Sequence, residues 1–362
     1  MKRVIIDAAA IKNNYDVIRQ AVDSNTVIYW VVKGNAYGLD TKQYVREMVS
    51  LGAKHFACAD VNDAVYIKKY CIDAEVLLLT PVNSEGVAKT VVEHGIVAAI
   101  ENREGASIIG KIAKEPYPVH IKVDVGFGRY GAHFDDQNEL EAICQTKGIK
   151  VEGMFTHLPK CADRHAKDSL EMIEKFFESV GFVNELGVFP KMIHALGSVG
   201  VFRFFDKRFT AVRIGSAITG RMPPVANCTG LKKVARLECS INSIKHIRKG
   251  ESVGYSSLYK AKKDIVAAVV DVGYADGFSV LKIPCEERRI DVLRQIKHDL
   301  FNLARKPSFF AVIKEKNVKA IGSIGMTAAS FDVTGLDVDV SDIAVIDMSP
   351  IYISSEIQRI YI

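Results

Sequence analysis

The strongest constraint on the fold is a regular alternation of short apolar runs with amphipathic segments over residues 26–218. Eight runs are rich in β-branched and aromatic residues and occupy 26–32, 55–59, 74–80, 96–100, 119–125, 151–157, 192–198 and 209–218. Helical spacing of apolar residues fills most of the intervals, as in 41–49, 61–70, 136–145 and 168–186. Apolar strands that alternate with helices indicate a parallel sheet. Eight such units predict an α/β fold of the (β/α)8 TIM-barrel class, with an open doubly wound sheet as the alternative.

The character of the chain changes after residue 225. Stretches rich in β-forming residues, joined by glycine and aspartate turns, occupy 234–247, 264–275, 309–322 and 331–348, which predicts a C-terminal, mainly-β domain. The segment 285–305 has the apolar spacing of a helix, and its sequence points to no function. We therefore expect a barrel domain over residues 8–230 and a β domain over 231–362 that is completed by a strand from residues 1–7.

Composition excludes several classes of protein. The chain is 48% hydrophobic and 25% charged, which is globular composition, and it contains no apolar run long enough to span a membrane. Asp7 interrupts the only stretch that could serve as a signal peptide, so we expect a cytoplasmic protein. A net charge of +5 without a basic block argues against nucleic acid as a partner. Seven cysteines without a CxxC pair and nine scattered histidines predict neither a disulfide framework nor a metal site.

Lys33 is the first candidate for chemistry, because it ends the first apolar run and catalytic groups of a barrel lie at the carboxyl ends of its strands. The alternative is an ordinary solvated strand end. Gly34 and Gly38 allow close approach of a ligand, and Tyr37 supplies a hydroxyl within reach of a phosphate. A lysine desolvated by Trp30 could lose its proton and form a Schiff base.

The fifth run places His120, Lys122 and Asp124 on one face of a strand, either inside the barrel or on an outward charged edge. Arg129 follows the glycine pair of GFGRYG and is suited to clamp a carboxylate with its guanidinium fork.

The last three barrel runs end in further polar residues. His157 ends the sixth run, Ser198 ends the seventh, and Arg213 precedes Gly215 and Ser216 in the eighth. Backbone N–H groups around these last two residues could bind a phosphate.

Seven motifs, in this order, resemble those of the alanine racemase family of pyridoxal-phosphate enzymes: VVKGNAYG, HIKVDVGFGRYG, FTHLPKCAD, HALGS, VRIGSAITG, VGYSSLY and VGYADG. The likeness covers residues 1–278 and resumes weakly around GSIGM and the C-terminus. It implies a barrel plus β domain, pyridoxal 5'-phosphate as cofactor, a small amino-acid substrate and a head-to-tail homodimer with shared active sites.

The resemblance also implies roles for individual residues. Lys33 would bind the cofactor covalently and act as the base on the D face, and Tyr255 would be the opposing base, contributed by the partner subunit. The cofactor phosphate would be bound by Tyr37, Ser198, Gly215 and Ser216. Arg213 would lie against the pyridine nitrogen, with His157 hydrogen-bonded behind it.

The same comparison assigns the substrate side of the site. Arg129 would orient the substrate carboxylate, Tyr274 would line the substrate pocket, and the main-chain N–H of Met326 would approach the carboxylate. Lys122 occupies a family position that is often carbamylated, and a carbamate there could pair with Arg129.

These residues favour an amino-acid racemase. Racemisation needs one base on each face of Cα, and Lys33 and Tyr255 would supply them. A permanently charged Arg213 at the pyridine nitrogen disfavours protonation of that atom, which argues against an aminotransferase. The predicted reaction is the interconversion of L- and D-alanine.

Three alternatives remain at this stage. Ser323, Thr327, Ser355 and Val280 replace larger or charged family residues at the expected entrance, so serine or a longer, basic amino acid could be the substrate. A barrel-type decarboxylase of basic amino acids is disfavoured, since the chain lacks a triple-glycine loop and a C-terminal Cys-Asp pair. A non-enzymatic pyridoxal-phosphate carrier would leave residues 226–362 unexplained.

Overall fold

The computed structural model describes residues 1–280, 296 and 309–362. The chain forms two compact units: Asp7–Val234 is one, and Met1–Ile6 together with Ala235–Ile362 is the other. The predicted helix at 285–305 lies outside the described residues, except for Ile296.

The elements of the described residues are numbered in chain order. The strands are β1 (Lys2–Ile6), β2 (Val27–Val32), β3 (His55–Cys58), β4 (Glu75–Leu78), β5 (Val97–Ile100), β6 (Tyr117–Asp124), β7 (Ala132–His133), β8 (Ile149–Phe155), β9 (Met192–His194), β10 (Ala211–Ile214), β11 (Ala235–Ile247), β12 (Ser252–Val253), β13 (Tyr259–Lys260), β14 (Ile265–Val270), β15 (Phe310–Ile313), β16 (Lys316–Ile321), β17 (Ala329–Asp332), β18 (Ile343–Ile346) and β19 (Arg359–Tyr361). The helices are α1 (Ala8–Gln20), α2 (Gly34–Gly38), α3 (Thr41–Ser50), α4 (Val61–Tyr70), α5 (Glu85–Glu93), α6 (Arg103–Ile112), α7 (Gln137–Cys144), α8 (Lys167–Glu185) and α9 (Ser198–Phe204).

The first unit is the predicted barrel. Eight parallel strands pair in the order β10-β2-β3-β4-β5-β6-β8-β9. The two ends of this order are joined by a bond from the Arg213 N–H to the Leu196 carbonyl at 2.9 Å, which nearly closes the sheet. The fold class predicted from the alternating pattern is therefore confirmed, and the open doubly wound sheet is excluded.

Most helices of the barrel unit begin where a short polar side chain caps them, whereas α2, α8 and α9 have no side-chain cap. Asp7 accepts a hydrogen bond from the N–H of Ala10 at 2.8 Å, and Asn102 does the same for Gly105 at 2.8 Å. Such caps satisfy N–H groups that have no partner inside the helix. They set where each helix starts, and hence the length of the loops that follow the strands.

The barrel interior is packed in layers of side chains. One buried cluster joins Tyr29 and Val31 of β2 to residues of four other strands: Ala57, Leu77, Val97 and Ala211. Tyr29 is fully buried, and helices cover the outer face of the sheet, so the strands are apolar along their whole length. This explains why the barrel strands appear in the sequence as continuous apolar runs.

The second unit is mainly β, as predicted. Its sheet has the order β14-β17-β16-β15-β18-β11-β1-β19. The first strand of the chain pairs antiparallel with β11, with Lys2 opposite Cys239, and parallel with β19. The long β11 pairs with β18 as far as Ser240 and with β14 from Ile241, and its register with β14 shifts between Ile241 and Ser243.

No helix among residues 1–280 and 309–362 combines the length and the apolar character that crossing a membrane requires.

Candidate active site

A cavity of about 360 Å³ lies at the carboxyl ends of the barrel strands. Nine residues singled out from the sequence line it: Lys33, Tyr37, Lys122, Arg129, His157, Ser198, Arg213, Gly215 and Ser216. They come from five different strands or the loops after them, so only the closed sheet brings them together.

Lys33 follows β2 and is succeeded by a single turn of left-handed helix. Residues Gly34 to Gly38 all have positive φ, including Asn35 at 52°, Ala36 at 52° and Tyr37 at 57°. The N–H of Tyr37 donates to the Lys33 carbonyl at 2.9 Å and closes the turn. Left-handed backbone is costly for residues with a Cβ, and strain of this kind is typical of functional sites. The turn places the Lys33 ammonium 5.8 Å from the centre of the Tyr37 ring.

A cradle of hydrogen-bonding groups lies beside this turn. The N–H groups of Gly215 and Ala217 both donate to Ser198 Oγ at 3.1 Å. A Cβ at position 215 would lie 1.9 Å from the Tyr37 hydroxyl, so only glycine allows this approach. Burial raises the pKa of Tyr37, and the phenol remains a donor. Two hydroxyls and two amide N–H groups thus lie together, a grouping typical of phosphate sites, and both N–H groups donate to Ser198 Oγ in this structure.

Arg213 is the buried cation of the barrel interior. Its guanidinium donates to His194 Nδ1 at 2.7 Å, to the His194 carbonyl at 2.8 Å and to the Thr156 carbonyl. The sequence predicted His157 behind Arg213, whereas the histidine that Arg213 bonds in this structure is His194. Burial lowers the pKa of Arg213 to about 10, so it is a cation at neutral pH.

The same bonds determine the tautomers of two histidines. Because a guanidinium can only donate, Nδ1 of His194 must accept, and its proton is on Nε2. That N–H then donates to Nδ1 of His120, 3.0 Å away. Burial lowers the pKa of both rings, that of His120 to about 3, and the charge of Arg213 lowers them further. Both rings are therefore neutral and hold Arg213 without adding charge.

The cavity is cationic. Burial first, and then the charges of Arg129 and Arg213, lower the pKa of Lys33. The same causes lower the pKa of Lys122 to about 8 and that of His157 to about 3. No carboxylate lines this cavity among the residues that the structure describes. Such a site favours anionic ligands and a neutral, nucleophilic lysine.

The remaining three predicted residues lie together in the second unit. The N–H of Tyr255 donates to Ser323 Oγ at 2.9 Å, the N–H of Tyr274 donates to the Gly325 carbonyl at 3.1 Å, and Met326 accepts from Ala275 at 3.0 Å. The side chains of Tyr255, Tyr274 and Met326 are all exposed, that of Tyr255 by 74%. Ser323, noted in the sequence only as the loss of an arginine, is the acceptor that holds Tyr255.

Sequence reasoning assigned no role to His194 or to Phe127. His194 stands at the end of β9 within the HALGS motif, where period-two alternation could have placed it inside the barrel. Phe127 packs against the His157 ring, with 5.2 Å between the ring centres. Nothing in the local sequence signals this contact. Among the described residues, no cluster of side chains suited to binding a metal is present.

Comparison with known proteins agrees with this geometry. A family model described as the N-terminal domain of alanine racemase matches residues 6–223, and one described as its C-terminal domain matches residues 234–353. Alanine racemase from Streptococcus uberis is 30% identical over 280 residues, which cover 76% of this chain and 75% of that protein. Alanine racemase from Streptococcus equi subsp. equi is 27% identical over 319 residues, which cover 85% of each chain.

Solved structures share the fold. Alanine racemase from Clostridium difficile 630 has a TM-score of 0.85 at 20% identity and covers 100% of this chain and 95% of its own. Alanine racemase from Bacillus anthracis with bound L-Ala-P has a TM-score of 0.81 at 24% identity, with coverage of 100% and 95%. The two family models together account for most of the sequence, and the chain belongs to the alanine racemase family.

Proposed function

We propose that this protein is a pyridoxal 5'-phosphate-dependent racemase that interconverts L- and D-alanine. The observation that carries the proposal is that Lys33, whose pKa is lowered, lines a cationic cavity that no described carboxylate lines. The curated relatives named above support alanine as the substrate. They do not favour serine or a longer amino acid.

The residues present fit the cofactor. Lys33 would bind its aldehyde carbon, and its phosphate would accept hydrogen bonds from the hydroxyls of Tyr37 and Ser198 and from main-chain N–H groups at Gly215 and Ser216, with the phosphate replacing Ser198 Oγ as the acceptor of the Gly215 N–H. The cavity's positive charge matches a phosphate dianion. When bound, pyridoxal phosphate withdraws electrons from the substrate Cα and makes its proton acidic.

Lys33 acts as one of two bases. Burial and the nearby arginines lower the pKa of Lys33, which favours the neutral amine, and Nζ in that form can take the proton from Cα on one face. A proton delivered to the other face by the hydroxyl of Tyr255 inverts the configuration. We assign this role to Tyr255 of the partner subunit in a homodimer. The exposure of Tyr255 is consistent with a group that completes its site by association.

Arg213 controls the outcome of the reaction. Held by His194 and by main-chain carbonyls, it would present a cation to the ring nitrogen and keep a proton from binding there. A cation at this position would limit how much charge the ring withdraws, which would favour return of the proton to Cα. This supports racemisation over transamination.

Arg129 and Lys122 act on the substrate carboxylate. The guanidinium of Arg129 is exposed at the cavity and has donors suited to bind it. A pKa of about 8 leaves part of Lys122 as free amine at neutral pH. That amine can attack carbon dioxide, forming an N–C bond with loss of one proton, and the resulting carbamate anion would pair with Arg129. Tyr274 and the N–H of Met326 would complete the substrate pocket.

The test is an assay of alanine, serine, lysine, ornithine and arginine with chiral analysis of the products. Alanine should be racemised fastest, and serine turned over faster than alanine would contradict the assignment. Borohydride reduction of the cofactor-loaded protein should leave the pyridoxyl label on Lys33. A label on any other lysine would refute its role.

A further inference from the structure

The loop after β6 carries Arg129, and its shape is set by a carboxylate. Asp124 accepts hydrogen bonds from the N–H groups of Gly126 at 2.9 Å, Phe127 at 2.7 Å and Gly128 at 2.9 Å. Three N–H groups bound to one carboxylate fold the loop tightly. The loop thus holds the main chain of Arg129, and the direction of its side chain depends on other contacts.

The acids around this loop are occupied by other donors. Glu101 accepts from the N–H of Gly131 at 2.7 Å and from Asn83 Nδ2 at 2.9 Å. Asp124 is occupied by the loop itself. Within residues 1–280 and 309–362, Arg129 makes no hydrogen bond or ion pair with another side chain. Its five N–H donors are therefore available to a ligand.

Two aromatic rings contact the guanidinium instead. The Cζ atom of Arg129 lies 4.3 Å from the centre of the Phe127 ring and 5.7 Å from that of Tyr130. Phe127 also packs on His157, with the ring planes tilted by 51°, and this contact restricts the ring. A ring face attracts a cation and uses none of its N–H groups. The contact can restrain Arg129 against repulsion from Lys33 and, while Lys122 is an unmodified ammonium, from Lys122 as well.

We propose that Phe127 is a positioning residue that orients Arg129 for binding the substrate carboxylate. The inference rests on the proposed function and adds to it the side chain that sets affinity for the carboxylate. A restrained guanidinium loses less entropy when a carboxylate binds, so removing the ring face weakens carboxylate binding and leaves the cofactor contacts and proton transfer intact.

The experiment compares Phe127→Leu, which keeps apolar bulk and removes the ring face, with Phe127→Tyr, which keeps the ring. Phe177→Leu is the matched control. Phe177 belongs to the outer helix α8 and is also half-buried. The Cζ atom of Arg208 lies 4.3 Å from the centre of its ring. The measurements are KM and kcat for L-alanine, the dissociation constant of the cofactor, and calorimetric binding of propionate to the protein without cofactor.

For Phe127→Leu, KM for L-alanine and the dissociation constant of propionate should each rise roughly twofold to fivefold. The kcat and the affinity for the cofactor should not change. Phe127→Tyr and Phe177→Leu should both behave like the wild type.

Two results would overturn the inference. If Phe127→Leu lowers kcat and cofactor affinity along with carboxylate affinity, the ring only supports the loop. If the variant changes nothing, the ring does not orient Arg129. A wild-type protein that binds propionate and does not racemise alanine would instead refute the proposed function.

Discussion

At the scale of single residues, burial among like charges decides which lysines are chemically active. Lys122 is only 6% exposed, lies with its ammonium 4.8 Å from the centre of the Tyr130 ring and donates to the Leu79 carbonyl at 3.3 Å. These two contacts compensate only in part for the water that the Lys122 ammonium loses on burial. The ammonium form is therefore disfavoured, which is why the pKa falls to about 8.

This lowered pKa predicts a pH-dependent stability. Below pH 8 both the folded and the unfolded chain carry the ammonium, and the folded state bears its full desolvation cost. Between pH 8 and 10.5 only the unfolded chain is protonated, so the cost is lost as pH rises. Lys122→Met should be more stable than the wild type at pH 7, by up to about 3 kcal/mol.

The stability difference between Lys122→Met and the wild type can be measured by urea unfolding from pH 7 to 11. The buffer should contain neither carbon dioxide nor cofactor. The advantage of the variant should shrink through the stated window. In an Arg129→Gln background the window should move to higher pH, since one cation that lowers the pKa of Lys122 is gone. An advantage that stays constant with pH would contradict the prediction.

His194 offers a second test at this scale. In His194→Asn the amide oxygen can replace Nδ1 as acceptor for Arg213, whereas His194→Leu, of similar size, leaves a buried guanidinium N–H without a partner. The leucine variant should be less stable than the asparagine variant by about 1–3 kcal/mol in urea unfolding. Equal stability of the two would show that the acceptor contributes nothing.

At the scale of elements, the site depends on two loops that meet closely. The left-handed turn α2 brings the Tyr37 hydroxyl against Gly215, and the loop after β10 leaves space for it only because residue 215 has no side chain. Gly215 has a φ of −125°, outside the left-handed region, and it is the closeness of the Tyr37 hydroxyl that excludes a side chain here. The cradle therefore exists only while both loops hold these positions.

Gly215→Ala should separate the loops. Its Cβ would overlap the Tyr37 hydroxyl, so the affinity for pyridoxal phosphate, followed by absorbance titration, should fall by at least about tenfold. Gly181→Ala is the control, because a Cβ at this position in α8 meets nothing within 4 Å. Unchanged affinity in Gly215→Ala would show that the Tyr37 hydroxyl does not bind the phosphate.

At the scale of the whole molecule, the predicted catalytic groups are divided between the two units. Lys33 belongs to the barrel, and Tyr255 belongs to the β unit, where Ser323 holds it in an exposed position. In the proposed homodimer, each active site needs both bases and takes them from different subunits. Such a protein is catalytically active only as a dimer.

Mixing Lys33→Ala and Tyr255→Phe chains tests this sharing. Each variant alone should be inactive. After subunit exchange about half of the dimers are mixed, and one of the two sites in each has both bases, so activity should return to about a quarter of that of the wild type. Exchange verified by mass spectrometry without recovery would mean that the sites are not shared.

The sequence by itself determined the architecture. Eight apolar runs with helical segments between them allow few arrangements other than a parallel barrel, since every strand must bury both faces. The polar residues that follow the ends of these strands also indicated which loops would meet. Lys33, Arg129, Ser198 and Gly215 do line one cavity, and their individual roles stay predictions.

Only the tertiary structure decided which side chains touch. That Arg213 binds His194 instead of His157, and that Phe127 packs on Arg129, depends on side-chain directions inside a closed sheet. Periodicity fixes the face of a strand on which a residue lies, but not its rotamer or its partner on another strand. The left-handed turn after Lys33 is likewise disfavoured in an isolated peptide, so the local sequence does not predict it, and its contact with Gly215 through the Tyr37 hydroxyl is visible only in the folded structure.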